Sequence, residues 1–249
     1  MIRKMRMGLC HFGILITISI MHRGTKRNTS KFILHEERRG DCYRFLAACF
    51  YLPQKDLFAQ EDLFENLRKS LEPVCPEAAR LSIGMREAFL RSSDDDLSAE
   101  YARLFVGPYK LRAPPYGSVY LDKGRRVMGD STMEVMSFYR EEGLSIDDAF
   151  KELPDHICAE LEFMYYLIHK ELEALNNSDT NKALEYKEKQ DLFLNRFLRR
   201  WVPLFCEETR EGTNSEFYRV LVDCLLTFIR SSEVPENFTE FIERRTIVP

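Results

Sequence analysis

The 249-residue sequence lacks the short motifs that mark common classes of enzyme. It contains no glycine-rich dinucleotide fingerprint, no Walker phosphate loop and no Gly-x-Ser-x-Gly nucleophile elbow. Its seven cysteines never form a Cys-x-x-Cys pair, which disfavours a zinc site or a disulfide scaffold and fits a reducing compartment. Neither His156 nor His169 stands three residues after a glutamate, as helical carboxylate-bridged metal sites require. We therefore predict a protein that is not an enzyme and has no catalytic residues, no metal ligands and no cofactor.

Signals for β-structure are missing as well. The sequence shows no sustained alternation of apolar and polar residues, no Asn-Gly hairpin signal and no repeat of fixed period. Apolar residues recur instead at the three- and four-residue spacing of amphipathic helices. Such patterns cover Cys42–Phe50, Leu63–Leu71, Pro76–Leu90, Leu97–Phe105, Val135–Tyr139, Ile157–Leu175, Ala183–Trp201 and Phe217–Phe228, with a short segment after Pro235. The predicted fold is an all-α, single-domain bundle of roughly ten helices.

Prolines and capping residues predict where several of these helices begin and end. We expect one helix to end before Pro73 and another to be ended by Pro203, because proline lacks the N–H that a helix interior needs. Acidic and hydroxyl side chains that accept from backbone N–H groups are typical of helix starts. On this basis the predicted caps are Asp94–Asp96, the Ser131/Glu134 capping box and Asp155.

Charge is unevenly distributed along the chain. Residues 1–39 hold nine Lys and Arg residues against two acids, a balance of +7, whereas residues 40–249 have a balance of −11. An acidic body repels the phosphate backbone, so nucleic acid is disfavoured as a partner. A basic peptide is the better match.

Residues 1–28 stand apart from the helical patterns, and we predict that residues 29–249 form the folded domain. Arg3, Lys4 and Arg6 precede the apolar run Gly8–Met21, an order typical of signal peptides. The run is short for a membrane span, and we expect no stable membrane insertion. The extension is therefore either signal-like or the product of a start codon assigned too early, with Met21 the true first residue. We favour the second explanation.

Two segments of the sequence differ from the ends of ordinary helices in their composition. The first is Leu104–Pro108 followed by Ala113–Tyr120, and the second is Leu153–His156 followed by Glu160–Met164. Both combine proline with aromatic residues, which is typical of a rigid surface that holds another polypeptide. The adjacent Asp155 and His156 could also suggest a catalytic dyad, but capping alone explains the aspartate.

These segments resemble the TorD/DmsD/NarJ family of redox-enzyme maturation chaperones. The resemblance rests on Gly107-Pro108, Pro114–Tyr120, and Pro154-Asp155-His156 with Glu160–Met164, and it extends from about Tyr43 to the Trp201 region. It implies an all-helical cytoplasmic protein that binds the twin-arginine signal peptide of a molybdenum-containing oxidoreductase subunit. It also implies that the precursor is kept from export until its cofactor is inserted. Either a leader or a remnant at the client's N-terminus is a possible ligand.

A twin-arginine leader presents two guanidinium groups and then a hydrophobic run, so its receptor needs carboxylates beside an apolar groove. We expect Asp155, Glu160 and Glu162 to supply the carboxylates, aromatic residues to line the groove, and an exposed His156 to contribute to the surface. The predicted peptide-binding residues are Phe105, Gly107, Pro108, Pro115, Tyr116, Ser118, Tyr120, Pro154, Asp155, His156, Glu160 and Glu162.

Three alternatives stay open at this point. Phe105 and Val119 could belong to the core instead of the groove. The protein could be a small-molecule- or guanine-nucleotide-binding helical protein with catalytic activity. It could act as a monomer or as a domain-swapped homodimer, with the connection before the long helix at Ile157 as the hinge.

Overall fold

The computed structural model describes residues 6–7, 31–107, 111–147 and 149–232. In these ranges the chain forms ten continuous helical stretches, which confirms the predicted all-α bundle. The α-helices are α1 (Lys31–Cys49), α2 (Lys55–Gln60), α3 (Leu63–Val74), α4 (Pro76–Arg91), α5 (Asp94–Tyr101), α6 (Gly117–Leu121), α7 (Asp130–Glu141), α8 (Ile157–Asn176), α9 (Thr180–Phe193), α10 (Arg199–Gly212) and α11 (Glu216–Ser231). Two π-helical turns are present in the described ranges. The turn π1 (Ala102–Val106) continues α5, and the turn π2 (Leu194–Leu198) joins α9 to α10.

Two very short strands complete the described secondary structure. The strands β1 (Arg6–Met7) and β2 (Ser145–Ile146) pair in parallel, with Arg6 opposite Ser145 and Met7 opposite Ile146. The sequence patterns did not predict this pairing, because two residues are too few to show alternation. The helical segment predicted after Pro235 lies outside the described residues.

Helix packing follows a series in which each helix covers the apolar face of the next. α1 packs between α8 and α3, α8 also contacts α9, and α3 leads through α4 to α11 and α10. The stripe Cys42, Leu46 and Cys49 on α1 is fully buried, as the periodicity predicts. Apart from Val119, the buried apolar residues of the described ranges form one contiguous core. Six cysteines in the described ranges are buried without a disulfide, as is usual for cysteine that packs as a small apolar residue. Within the same ranges, no helix has the length and apolar character that crossing a bilayer requires.

Both proline-based helix ends were wrong. Pro73 lies in the last turn of α3, and Pro203 lies inside α10, which continues to Gly212. Each proline removes one backbone hydrogen bond from its helix. Val202 and Phe205, on either side of Pro203, are fully buried. Burial of these neighbours therefore outweighs the local penalty.

Two predicted caps were also wrong. At the start of α5 the Oγ of Ser93 accepts from the backbone N–H of Asp96, at 3.0 Å, so the serine before the three aspartates is the cap. The Ser131/Glu134 pair forms no capping box. Ser131 donates from its N–H and its hydroxyl to Asp122, while Glu134 pairs with an arginine on π2. In both places a different side chain, Ser93 or Asp122, accepts from a backbone N–H group at the start of the helix.

A buried polar cluster joins α1, α8 and α9. The guanidinium of Arg39 donates to the Glu36 carboxylate, at 2.6 Å for the shortest contact, and to the side-chain oxygen of Gln190. The amide of Gln190 donates in turn to Glu171, with 2.7 Å between Nε2 and Oε2. Burial, followed by the charge of Glu36, raises the pKa of Glu171 to about 8, whereas Arg39 holds the pKa of Glu36 below its usual value. At neutral pH the cluster therefore contains one ionised and one protonated carboxyl group.

We expect Glu171→Gln to abolish the loss of stability that the parent protein shows as the pH rises through about 8. A carboxyl whose pKa rises from 4.5 to about 8 on folding contributes stability that is fully present below pH 4.5 and is lost as the pH rises through 8. Glutamine has the shape of the protonated acid and cannot ionise. Chemical denaturation from pH 6 to 9 should show the parent losing stability while the variant does not. Parallel curves for the two proteins would contradict the assignment of the proton to Glu171.

Candidate functional site

The two unusual segments of the sequence meet in space and hydrogen-bond to each other. Tyr116 and His156 form an isolated antiparallel bridge. The N–H of Gly117 donates to the carbonyl of Asp155, and the N–H of Ile157 donates to the carbonyl of Pro115, both at 2.9 Å. We call residues 113–118 and 152–157 the motif junction. It fixes the start of the short helix α6 against the start of the long helix α8.

Asp155 holds the motif junction from inside. Its Oδ2 accepts from the backbone N–H of Ser118 at 2.7 Å, and the side chain is fully buried. The prediction that Asp155 caps α8 was therefore wrong, because its carboxylate serves a segment 37 residues earlier in the chain. With no exposed surface, Asp155 also cannot meet a peptide arginine at the protein surface.

His156 takes the capping role that was assigned to its neighbour. Its Nδ1 accepts from the backbone N–H of Cys158 at 3.2 Å. The ring lies between those of Tyr116 and Phe150, at centroid distances of 5.4 and 5.9 Å. The side chain is 2% exposed, so the expectation of an exposed histidine was wrong. Burial lowers the pKa of His156 to about 3, and the imidazole is neutral at physiological pH.

We expect His156→Ala to lower the free energy of unfolding by about 2–3 kcal/mol, through the lost cap and the lost packing of the ring. His156→Asn is the matched control, since asparagine is a favoured cap but has no ring, and it should lose less. The histidine contributes stability that is present above pH 6.5 and is lost as the pH falls towards 3. The difference in stability between the parent and the Asn variant should therefore shrink below pH 6.5. A difference that stays constant with pH would show that His156 is not buried in the neutral form.

Glu160 lies one turn further along α8 and is fully buried. Its Oε2 accepts from the indole Nε1 of Trp201 at 2.9 Å. Burial, with a smaller contribution from the charge of Asp155, raises the pKa of Glu160 well above its usual value. A fully buried carboxyl group cannot meet a ligand's arginines at the surface, so the prediction that Glu160 faces them was wrong.

Gly117 permits this close packing. A Cβ atom at this position would lie 3.0 Å from Oε1 of Glu160 and 3.1 Å from Nε1 of Trp201. A side chain here would force two buried groups to shift by a few tenths of an ångström, which favours glycine. The resemblance pointed to the glycine, and the geometry gives its physical cause.

Tyrosine–glutamate pairs form the outer edge of the site, and all of their side chains are partly exposed. The Tyr116 hydroxyl donates to Glu152 at 2.5 Å, and the Tyr51 hydroxyl donates to Glu162 at 2.6 Å. Burial, together with the hydrogen bond to Glu152, raises the pKa of Tyr116. The Phe150 ring lies 6.2 Å from that of Tyr51 and also touches His156, which links the two pairs.

A third pair lies beside Trp201. Tyr120 stacks on the indole, with 5.8 Å between ring centroids and 17° between planes. Its hydroxyl donates to Glu208 at 3.0 Å, and Arg125 pairs with the same carboxylate. Of the aromatic residues predicted to line a groove, Tyr116 and Tyr120 are the two that keep partial exposure.

Other predicted site residues are structural. Phe105 is 4% exposed and packs against Phe50, Phe205 and Tyr218, so the alternative of a core residue is correct for it. Val119 is buried as well. The three rings around Phe105 come from distant parts of the chain.

The remaining predicted residues shape the backbone. Ser118 and Pro115 are buried, and the carbonyl of Pro154 accepts from the Tyr139 hydroxyl at 3.0 Å. Gly107 ends π1 with a φ of 90°, a conformation that glycine adopts without strain. Pro108 lies outside the described residues.

Sequence reasoning missed Tyr51, Leu52, Glu152 and Glu208. Tyr51 and Leu52 precede Pro53, where the helix signal stops, and single exposed glutamates give no signal at all. Among the described residues, no group of three or more His, Cys, Asp or Glu side chains is arranged to hold a metal ion.

The chain is similar to several known proteins. Residues 65–207 match the family described as nitrate reductase delta subunit. Chaperone protein TorD of Photobacterium profundum is 28% identical over 212 residues, which cover 80% of this chain and 94% of that protein. The Tat proofreading chaperone DmsD of Salmonella typhi is 37% identical over 136 residues, 53% of this chain and 67% of that protein. The chain is also similar to the solved structure entitled a putative redox enzyme maturation protein from Archaeoglobus fulgidus, at 20% identity and a TM-score of 0.43, over 89% of this chain and 99% of the other.

Proposed function

The chain belongs to the nitrate reductase delta subunit family, and from this premise we propose a cytoplasmic chaperone of redox-enzyme maturation. Its proposed ligand is the twin-arginine leader, or the N-terminal segment, of a molybdenum-containing oxidoreductase subunit. The protein holds this subunit until its cofactor is inserted, before export or assembly. The chaperone names of TorD and DmsD relatives support the role and give no sign of catalysis.

The motif junction is the observation that carries this proposal. Its buried polar groups face inward: Asp155 serves a backbone N–H, His156 caps a helix, and Glu160 pairs with Trp201. None of them is placed to act on a substrate. The junction instead fixes the backbone beneath its outer edge, so the edge loses little conformational freedom when a peptide binds.

The outer edge offers what a leader requires. The carboxylate of Glu152 accepts the Tyr116 hydroxyl and that of Glu162 accepts the Tyr51 hydroxyl, and both carboxylates are partly exposed. Charge-assisted hydrogen bonds to arginine are about twice as strong as neutral ones. Leu52, next to Tyr51, is 49% exposed and provides apolar surface for the hydrophobic run that follows the arginines.

We expect the protein to bind a twin-arginine leader peptide with an affinity that weakens as salt rises. Exposed charges are screened beyond about 10 Å at 0.1 M salt, and the balance of −11 over residues 40–249 supplies the attraction. Isothermal titration calorimetry at two salt concentrations measures this dependence. A twin-lysine peptide is the matched control, since lysine cannot bind a carboxylate with two parallel hydrogen bonds.

The double variant Glu152→Gln/Glu162→Gln should bind the leader about tenfold more weakly, which corresponds to about 1.4 kcal/mol. Glu72→Gln/Glu87→Gln controls for the loss of two negative charges, because these side chains on α3 and α4 are 65% and 60% exposed and lie in surface ion pairs with Arg68 and Arg91. Equal losses in both variants would assign the attraction to overall charge. No binding of the leader by the parent protein would overturn the proposed function.

A further inference from the structure

The outer face of α4 carries two large apolar side chains that are open to solvent. Ile83 is 49% exposed and Leu90 is 53% exposed. They stand seven residues apart in the sequence, close to two helical turns, so they lie on the same side of the helix. The buried face of α4 packs against α3 and α11. Exposed apolar residues are common on protein surfaces, so the neighbours of these two decide whether the face binds a partner.

Gly84 lies next to Ile83 in the middle of this outer face and is partly exposed. Glycine in a helix interior is destabilising relative to alanine, because it loses more conformational freedom on folding. The backbone here is helical, and a Cβ atom at this position would meet nothing within 4 Å. Neither the backbone conformation nor crowding within the chain therefore requires a glycine. A missing side chain does let a second backbone come close.

The charged residues of this face are arranged symmetrically about its midpoint, at residues 83–84. Arg80 and Glu87 lie at equal distances before and after the midpoint, and their charges are opposite. Glu77 and Arg91 lie further out at nearly equal distances, again with opposite charges. All four side chains are exposed. A second copy of α4 that runs in the reverse direction therefore places a base opposite each acid and an acid opposite each base.

We propose that α4 is the interface of a two-fold symmetric homodimer, in which two copies of this helix pack antiparallel with their midpoints opposed. A two-fold interface brings the same surface of both copies together, so that surface must complement itself. In this arrangement Arg80 lies opposite Glu87 of the partner subunit. Glu77 lies opposite Arg91 of the partner subunit. The two-fold axis makes each of these contacts occur twice.

The centre of the proposed interface is apolar. Ile83 packs on Ile83 of the partner subunit, and the two Gly84 residues beside them allow the backbones to approach closely. Leu90 lies opposite Pro76 of the partner subunit towards each end of the helix pair. Burial of these apolar side chains supplies the attraction, and the ion pairs fix the register and direction of the two helices.

Formation of the dimer costs the single chain little. Arg91 pairs with Glu216 at 2.7 Å and with Glu87 at 3.9 Å, and these side chains are 58–61% exposed. Exposed pairs of this kind contribute little to stability, so their exchange for pairs across the interface is nearly neutral. For Glu77 and Arg80 no ion pair is found among the described residues.

The proposed interface is a single pair of helices and is therefore small, and small interfaces are typical of weak, transient association. We expect a dissociation constant on the order of 100 µM. The arrangement exchanges no element between the subunits, so it differs from a domain swap at the connection before α8. It uses no residue of the motif junction or of its outer edge, and it stands independently of the proposed function.

Sedimentation velocity of the full chain at about 5 to 500 µM tests the dimer. Arg80→Glu and Glu87→Arg should each weaken self-association about tenfold, because each places like charges opposite one another across the interface. Combining the two substitutions makes the charges opposite again and should restore the dimer. Arg38→Glu on α1, where the side chain is 42% exposed, is the control reversal and should leave self-association unchanged.

Gly84→Gln separates the dimer from the fold. Glutamine is a better helix former than glycine and its side chain would enter open space, so the melting temperature should not fall. Two glutamines at the midpoint would hold the backbones apart, and self-association should weaken several-fold. A parent protein that stays monomeric up to about 500 µM would overturn the inference. So would a dimer that persists in both single reversals, as a domain-swapped dimer would, or a combined reversal that remains monomeric.

Discussion

Trp201→Ala is expected to lower the free energy of unfolding by about 4 kcal/mol, within the range for large aromatic residues removed from a core. The indole is fully buried, stacks on Tyr120 and packs against Phe205. Its Nε1 is also the hydrogen-bond donor found for Glu160, whose Oε1 already lies buried without a partner. The substitution therefore combines a cavity with a buried carboxyl group that has lost its donor. The free energy of unfolding of a small domain is about 5–15 kcal/mol in total, so this loss is a large share of it.

Urea denaturation followed by circular dichroism measures the loss of stability. Two control variants separate the contribution of the hydrogen bond to Glu160 from that of the packing of the ring. Trp201→Phe keeps an aromatic ring but removes the N–H, and it should cost about 1–3 kcal/mol through the unsatisfied Glu160. Adding Glu160→Leu to Trp201→Phe should recover part of that loss, because the unpaired polar group is gone. If Trp201→Phe were as stable as the parent, the hydrogen bond would have no net role at the motif junction.

Arg39→Met should lower the free energy of unfolding by about 3–5 kcal/mol, the cost of removing one partner of a buried ion pair. The Arg39 side chain is 1% exposed and Glu36 is fully buried, so the ionised carboxylate would remain without its cation. Methionine replaces most of the volume, which leaves the electrostatic loss as the main effect.

Arg38→Met is the matched control on the preceding residue. Its side chain is 42% exposed and pairs with Asp41 at 3.7 Å, and exposed pairs of this kind are worth about 0–1 kcal/mol. Combining Arg39→Met with Glu36→Gln should restore part of the lost stability, because the uncompensated charge disappears. Similar losses in Arg38→Met and Arg39→Met would contradict a buried cluster.

The sequence predicts the helices well because their apolar stripes are local. The pattern from Ile157 to Leu175 corresponds to α8, which ends at Asn176, and the pattern from Phe217 to Phe228 lies within α11. Periodicity reports which face of a helix is buried, and burial is the largest stabilising contribution to such a fold. The two prolines inside helices show the limit of local rules, since tertiary packing decides their cost.

For the candidate site, sequence patterns identified the two segments but not the roles of their polar side chains. The two segments do meet, as a shared surface requires, yet the polar residues chosen for that surface are mostly inside it. The sequence predicts Asp155 as a cap, but in the fold its carboxylate accepts from the Ser118 N–H at 2.7 Å. The sequence predicts Glu160 as a surface acid, but in the fold it is buried and accepts from the indole of Trp201. These partners lie 37 and 41 residues away in the chain, a distance over which spacing carries no information.

The chain has one tryptophan, and its place in the fold gives the protein a built-in optical signal. All indole emission comes from Trp201, which is shielded from solvent and stacked on Tyr120. Tyr120 extends from that stack to Glu208 on the partly exposed outer edge. A peptide that moves Tyr120 would change the quantum yield or emission wavelength of a single, known fluorophore. Ligand titrations can therefore be followed on the unlabelled wild-type chain, with each spectral change assigned to one site.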